Sequence, residues 1–235
     1  MWKASRTGIE SNTPTTCHAI ASRIPMERWS MFGFGLMMAS LVFFFMPGQA
    51  KAVEIERFAN HLVLSGEIAD YSPGALNRNL VEALLDLALA GDRKLPVYLH
   101  LNLPKGGDAA ASFRLVDIIR SAQDQGTRVV AQVSAGDTCM SGCTFLFLAA
   151  DERWMAPEGR LVFHGFTQRN AARPVPVPER YIQTYYKLLA AANQTFFEFF
   201  KAARIIEDDR KVGFTGQTLF DERAFAGLVT RLLMH

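Results

Sequence analysis

From His61 to Phe166 the chain alternates short apolar runs with stretches long enough to be helices, and this alternation limits the fold more than any other feature. The runs "HLVLSGEI" (61–68), "KLPVYLHLNL" (94–103), "TRVVAQVSAG" (127–136) and "RLVFHGF" (160–166) read as strands. Between the first two, "SPGALNRNLVEALLDLALAGD" opens on Ser-Pro, repeats leucine at 76, 80, 84, 85 and 87, and stops at Gly91. "PKGGDAA" is a glycine-bearing turn that opens a second helix through "SFRLVDIIRSAQDQG". Strands separated by helices must be joined by crossovers, which implies an α/β domain with a mainly parallel sheet. In such sheets reactive groups gather beyond the carboxyl ends of the strands. Gly106-Gly107, Ser141 and His164 all follow or adjoin such ends.

The stretch "GDTCMSGCTFLFLAA" carries the most specific chemistry. Ser141 stands at the start of the apolar helix "CTFLFLAA", where free N–H groups and the helix dipole favour a developing negative charge. Gly142 lets a backbone N–H approach a substrate carbonyl without a Cβ in the way, and Gly107 can supply a second donor. His164, ending its own strand, is placed to take the serine proton.

Charge is unevenly distributed. Residues 1–52 hold five Lys/Arg and two acids, leaving 20 basic and 21 acidic side chains of the 25 and 23 in the whole chain. The body is near neutral and has no basic stripe with interleaved aromatics, so nucleic acid is not an expected partner. Residues 29–50 form an uncharged run of 22, preceded by basic residues and closed by "AKA" at Ala50, Lys51 and Ala52. This is the pattern of a secretory signal peptide over 26–52, with 1–25 a disordered extension or a misassigned start and 53–235 the domain. Its rival is an uncleaved tether to the inner membrane through 29–50, since about 20 apolar residues span a bilayer. Either way the domain is expected outside the cytoplasm.

Export bears on Cys139 and Cys143, the two cysteines of the body. In an oxidising compartment the pair is expected to be bridged, with buried free thiols as the alternative. A zinc site is a weaker third reading, because no second Cys/His pair at suitable spacing completes it.

Downstream, "DERW" (151–154) reads as a turn closing the Ser141 helix, with Arg153 pairing locally. "RNAARPVPVPERY" is an extended proline-rich segment. The region 180–204 reads as one long aromatic helix, with Tyr185, Tyr186, Phe196, Phe197, Phe199 and Phe200 too numerous for a single face. It is therefore expected to pack on the body and on a second copy in a homo-oligomer. "FTGQTLFDERAFAGLVTRLL" is a short helix and a terminal strand. His100 is expected to be an outward or satisfied strand histidine rather than a ligand, and His61 and His235 to be exposed.

Taken in order, "HLVLSGEI", "LNLPKGG", "CMSGCTFLF", "LVFHGF" and "FDERAFAGLV" resemble the Clp protease proteolytic subunit (ClpP) and its crotonase-fold relatives. The sequence is most similar to exported ClpP-like proteins with Cys-x-Ser-x-Cys-Thr around the serine. The resemblance runs from about Val53 onward. It implies a repeated ββα/βαβ core, Ser141 as nucleophile, His164 as base, and Gly107 and Gly142 as oxyanion donors. It implies a serine peptidase acting on peptides or unfolded protein, with no cofactor. Counting back from Gly227, the family's acid falls near Thr215; the nearest carboxylates are Asp208, Asp209 and Asp221, and Asp209 is the expected third member. The family's groove and ring-forming segment is replaced here by the proline-rich stretch. An ATP-driven unfoldase is not an expected partner outside the cytoplasm, where ATP is not supplied. The alternative is an exported scaffold that keeps this fold without the chemistry.

Overall fold

The computed structural model describes residues 53–90, 94–166, 178–207 and 211–233. The expectations for 1–25, for the signal or tether within 26–52, and for Asp208, Asp209 and His235 lie outside these residues.

The elements run β1 (Glu54–Phe58), β2 (His61–Ser65), α1 (Ser72–Leu89), β3 (Val97–Asn102), α2 (Ala109–Asp124), β4 (Val129–Val133), β5 (Thr138–Met140) and α3 (Gly142–Ala149). They continue with β6 (Glu152–Met155), β7 (Arg160–Phe163), α4 (Glu179–Ala192), α5 (Gln194–Ala202), β8 (Val212–Thr215), α6 (Gly216–Asp221) and β9 (Arg231–Leu232). The larger sheet has the order β1-β2-β3-β4-β6-β9, with β1 antiparallel to β2 and every other neighbour parallel. The α/β class with a mainly parallel sheet is thus present.

Alternation along the central strands decides which face is covered. Leu62, Leu64, Leu99, Leu101, Ala131 and Val133 are fully buried on one face. The helices return to it with Leu76, Leu80, Ala83 and Leu87 of α1 and Leu115, Val116 and Ile119 of α2. Truncating one such leucine to alanine costs about 2–5 kcal/mol. α3 is apolar all round, and its residues from Gly142 to Leu148 are all buried. Asp108 caps α2, its Oδ1 accepting from Ala111 N–H at 2.7 Å; α1 has no side-chain cap and starts at Ser72-Pro73, where Ser72 Oγ reaches back to accept from Ala69 N–H at 2.9 Å.

A second sheet, β5-β7-β8, positions the candidate site. β5 is parallel to β7, and β8 is antiparallel to β7. β5 also leans on the end of β3, where Leu103 N–H donates to Thr138 O at 2.9 Å.

Three expectations are corrected. "DERW" is no turn: Glu152–Met155 form β6 inside the larger sheet, paired with β4 and β9. Arg153 makes this possible. Its guanidinium donates to the carbonyls of Leu228 (2.8 Å), Ala150 (2.8 Å) and Gly227 (2.9 Å), so a cation is accommodated within the sheet. The single helix over 180–204 is broken at Asn193, whose extended backbone (φ −164°, ψ 113°) separates α4 from α5. The Asn193 side chain caps α5 by accepting from Phe196 N–H at 2.6 Å. His61 is half-buried rather than exposed, stacked on Tyr98 with ring centres 4.5 Å apart. Its Nδ1 lies 2.9 Å from His100 Nε2, which satisfies the His100 ring. Of the six aromatics of α4 and α5, Tyr185, Tyr186, Phe196 and Phe200 are buried in this chain's own core, while Phe199 stays 40% exposed.

Candidate active site

Ser141 occupies the single-residue turn between β5 and α3. Its backbone sits at φ 53°, ψ −119°, a region that L-residues other than glycine avoid. Holding a serine there costs on the order of 1–3 kcal/mol and requires the surroundings to enforce it. The enforcement is visible on both sides. Ser141 N–H donates to Val162 O at 2.9 Å, tying the residue to β7. Its carbonyl accepts from Thr144 N–H at 2.8 Å and from Thr144 Oγ1 at 2.6 Å. The Cys139–Cys143 disulfide, with Cα atoms 5.1 Å apart, closes over the same turn. Both sulfurs are engaged in this bridge, so the free-thiol and zinc readings fall.

The Gly106-Gly107 turn lies directly against the serine. A Cβ on Gly106 would stand 2.7 Å from Ser141 Cβ and 2.6 Å from Met140 O, so only glycine permits this approach. Gly107 (φ 148°) is bridged to Ile68: Ile68 N–H donates to Gly106 O at 2.8 Å and Asp108 N–H to Ile68 O at 3.0 Å. Because Ile68 engages the residues flanking Gly107, the N–H of Gly107 itself faces the opposite side, where β5 ends. Gly142 begins α3 and packs on Ser112 in the first turn of α2, against whose hydroxyl a Cβ would collide. Two helix N-termini therefore converge beside Ser141, and their partial positive charges add. Neither Gly107 nor Gly142 N–H donates to a backbone acceptor among the described residues.

His164 follows the last residue of β7. The β5–β7 register sets Met140 opposite Val162, so His164 comes one residue past the level of Ser141 on the adjacent strand. His164 Nδ1 contacts Gly165 O at 2.5 Å. A carbonyl can only accept, so in the neutral ring the proton resides on Nδ1 and the lone pair on Nε2. The Ser141 hydroxyl and the His164 ring share no hydrogen bond with each other.

The carboxylate expected behind His164 is not among the described residues near it. β8 enters beside the ring's end of β7, with Val212 opposite Phe163, whereas Thr215 lies opposite Arg160 at the far end. Thr215 instead caps α6 by accepting from Thr218 N–H at 3.1 Å. Asp221 is exposed and accepts from Gln217 Nε2 at 2.7 Å. The position reached by counting from Gly227 is therefore not the one beside His164, and Asp209, the expected acid, lies outside the described residues.

Two residues of the site were not read from the sequence. Thr144 is fully buried, and Tyr185 OH lies 2.8 Å from its hydroxyl. Thr144 had a local signal, as the one hydroxyl in an otherwise apolar helix three residues after Ser141. Tyr185, 41 residues away from Thr144, had none. Among the described residues no group of three His, Cys, Asp or Glu side chains is placed to hold a metal ion. No protein-family model matches the chain and no curated protein is recognisably similar to it.

Proposed function

We propose that this protein is a serine hydrolase, a ClpP-like peptidase that works without ATP on short or unfolded peptides outside the cytoplasm. The observation that carries the reading is Ser141 held at φ 53° between a strand and a helix N-terminus, with Gly106-Gly107 against it. A strained strand-to-helix turn presenting a serine beside two amide donors is the backbone device of nucleophilic acyl transfer. In this reading Ser141 Oγ attacks the scissile carbonyl while His164 Nε2 takes its proton. The carbonyl oxygen becomes an oxyanion held by the N–H groups of Gly107 and Gly142, each donor being worth roughly 3 kcal/mol. His164 then gives its proton to the departing amine, and water repeats the sequence on the acyl-enzyme. Gly165 O accepts from His164 Nδ1 and orients the ring so that Nε2 is the atom that takes the proton. The disulfide supports an oxidising location.

The test is a fluorophosphonate probe, which should label the protein at Ser141 and fail to label Ser141→Ala. Undiminished labelling of that variant removes the assignment. A second reading, the exported scaffold without chemistry, is favoured by one observation: the missing Ser141–His164 hydrogen bond. Hydrogen bonds of this kind often tighten only with substrate bound. Wild-type protein that stays unlabelled where an active serine hydrolase reacts would establish the scaffold.

A further inference from the structure

We infer that Tyr185 is a positioning residue that, through Thr144, fixes the Ser141–Gly142 peptide so that the Gly142 N–H faces the oxyanion position. The inference rests on the hydrolase reading and adds to it a residue from a distant helix.

The hydrogen-bond directions follow from what each oxygen can do. Thr144 Oγ1 has one proton, and the Ser141 carbonyl, 2.6 Å away, can only accept it. The 2.8 Å contact with Tyr185 OH must therefore run the other way, with the phenol donating to Thr144 Oγ1. Burial pushes the Tyr185 phenol above its ordinary pKa, against the smaller opposing effect of its bond to Thr144, and keeps it in the donor form. Tyr185 thus holds the Thr144 hydroxyl in the one rotamer that reaches the Ser141 carbonyl.

That carbonyl shares a peptide plane with the Gly142 N–H, and in a trans peptide the two point in opposite directions. With Thr144 N–H and Oγ1 drawing the carbonyl into α3, the N–H is turned out of the helix, beside the Gly106-Gly107 turn. Rotation of this plane would aim the carbonyl oxygen at the developing negative charge and remove a donor in one movement. The same ring also packs edge-on against Phe166, two residues after His164, at 5.8 Å. One side chain of α4 therefore touches both Thr144, which holds the Ser141 carbonyl, and the ring two residues past His164.

The experiment compares wild type with Tyr185→Phe, Thr144→Val and Thr144→Ser. It reads the second-order rate of fluorophosphonate labelling and the Gly142 amide resonance by 15N NMR. Tyr185→Phe and Thr144→Val should label about 10-fold more slowly or worse, since a misdirected donor forfeits oxyanion stabilisation. Both should shift or split the Gly142 resonance. Thr144→Ser keeps the hydroxyl and should return both readouts to near wild type, a rescue that a role in packing alone would not give. Wild-type labelling rates with an unmoved Gly142 resonance in folded Tyr185→Phe and Thr144→Val overturn the inference. Loss of folding in both overturns it too, because the pair is then a structural strut. If wild type itself does not label, the hydrolase reading has failed, and the Gly142 resonance alone decides whether Tyr185 sets the peptide.

Discussion

Two turns at the same end of the fold lead a strand into a helix, and they meet the same backbone demand with different residues. Between β3 and α2 the chain bends through Gly106 (φ 66°) and Gly107 (φ 148°). Between β5 and α3 it bends through Ser141 at φ 53°, where a glycine would sit without strain. The glycine turn is held by the Ile68 bridge and by Gly106 N–H donating to Leu103 O at 3.0 Å, with no disulfide across it. The serine turn is held by β7, by Thr144 and by a disulfide. In the hydrolase reading, reinforcement of that kind holds the Ser141 hydroxyl in place at a bend that glycine would make more cheaply.

The contrast can be broken most sharply at the glycine turn. Gly107→Ala would drive a Cβ to 2.7 Å from Ile68 Cα while imposing a φ that alanine resists. Urea unfolding should show a loss of roughly 3–5 kcal/mol; a loss below about 1 kcal/mol would mean that the turn tolerates side chains and the two bends are alike. Reducing the Cys139–Cys143 bridge, which closes a loop across four residues, should cost about 2 kcal/mol. Comparing unfolding with and without a dithiol reductant measures this, and an unchanged midpoint would remove the bridge from the reinforcement. Ser141→Gly should act in the opposite direction. Relief of strain outweighs the added chain entropy by a margin on the order of 1 kcal/mol, so thermal unfolding should move upward. A downward shift would show that the serine is not strained where it stands.

How much of this was legible in the sequence depended on whether the signal was local. Leucine periodicity placed α1, and the runs at 94–103 and 127–136 gave β3 and β4, because burial of one face leaves a pattern in the residues themselves. Ser141, Gly107 and Gly142 could be grouped because each follows a strand end. β6 was lost because "DERW" carries three charges in four residues. What makes it a strand is the set of carbonyls that Arg153 finds some 75 residues later. The break at Asn193 did have a signal, an Asn able to cap "QTFFEFFKA", but the apolar content on both sides masked it. Asp209, the acid expected behind His164, lies outside the described residues. Thr215, where counting back from Gly227 leads, pairs with Arg160, at the opposite end of the ladder from the imidazole.

The Arg153 clasp has a consequence for how the chain is made. Two of the three carbonyls around its guanidinium belong to Gly227 and Leu228, and β6 gains its outer neighbour only when β9 arrives. A nascent polypeptide released as far as Asp221 therefore carries a half-buried cation with most of its acceptors still to come, beside an open sheet edge. Until β9 is in place that edge can pair with another chain, so the final residues complete the fold and also close it against aggregation.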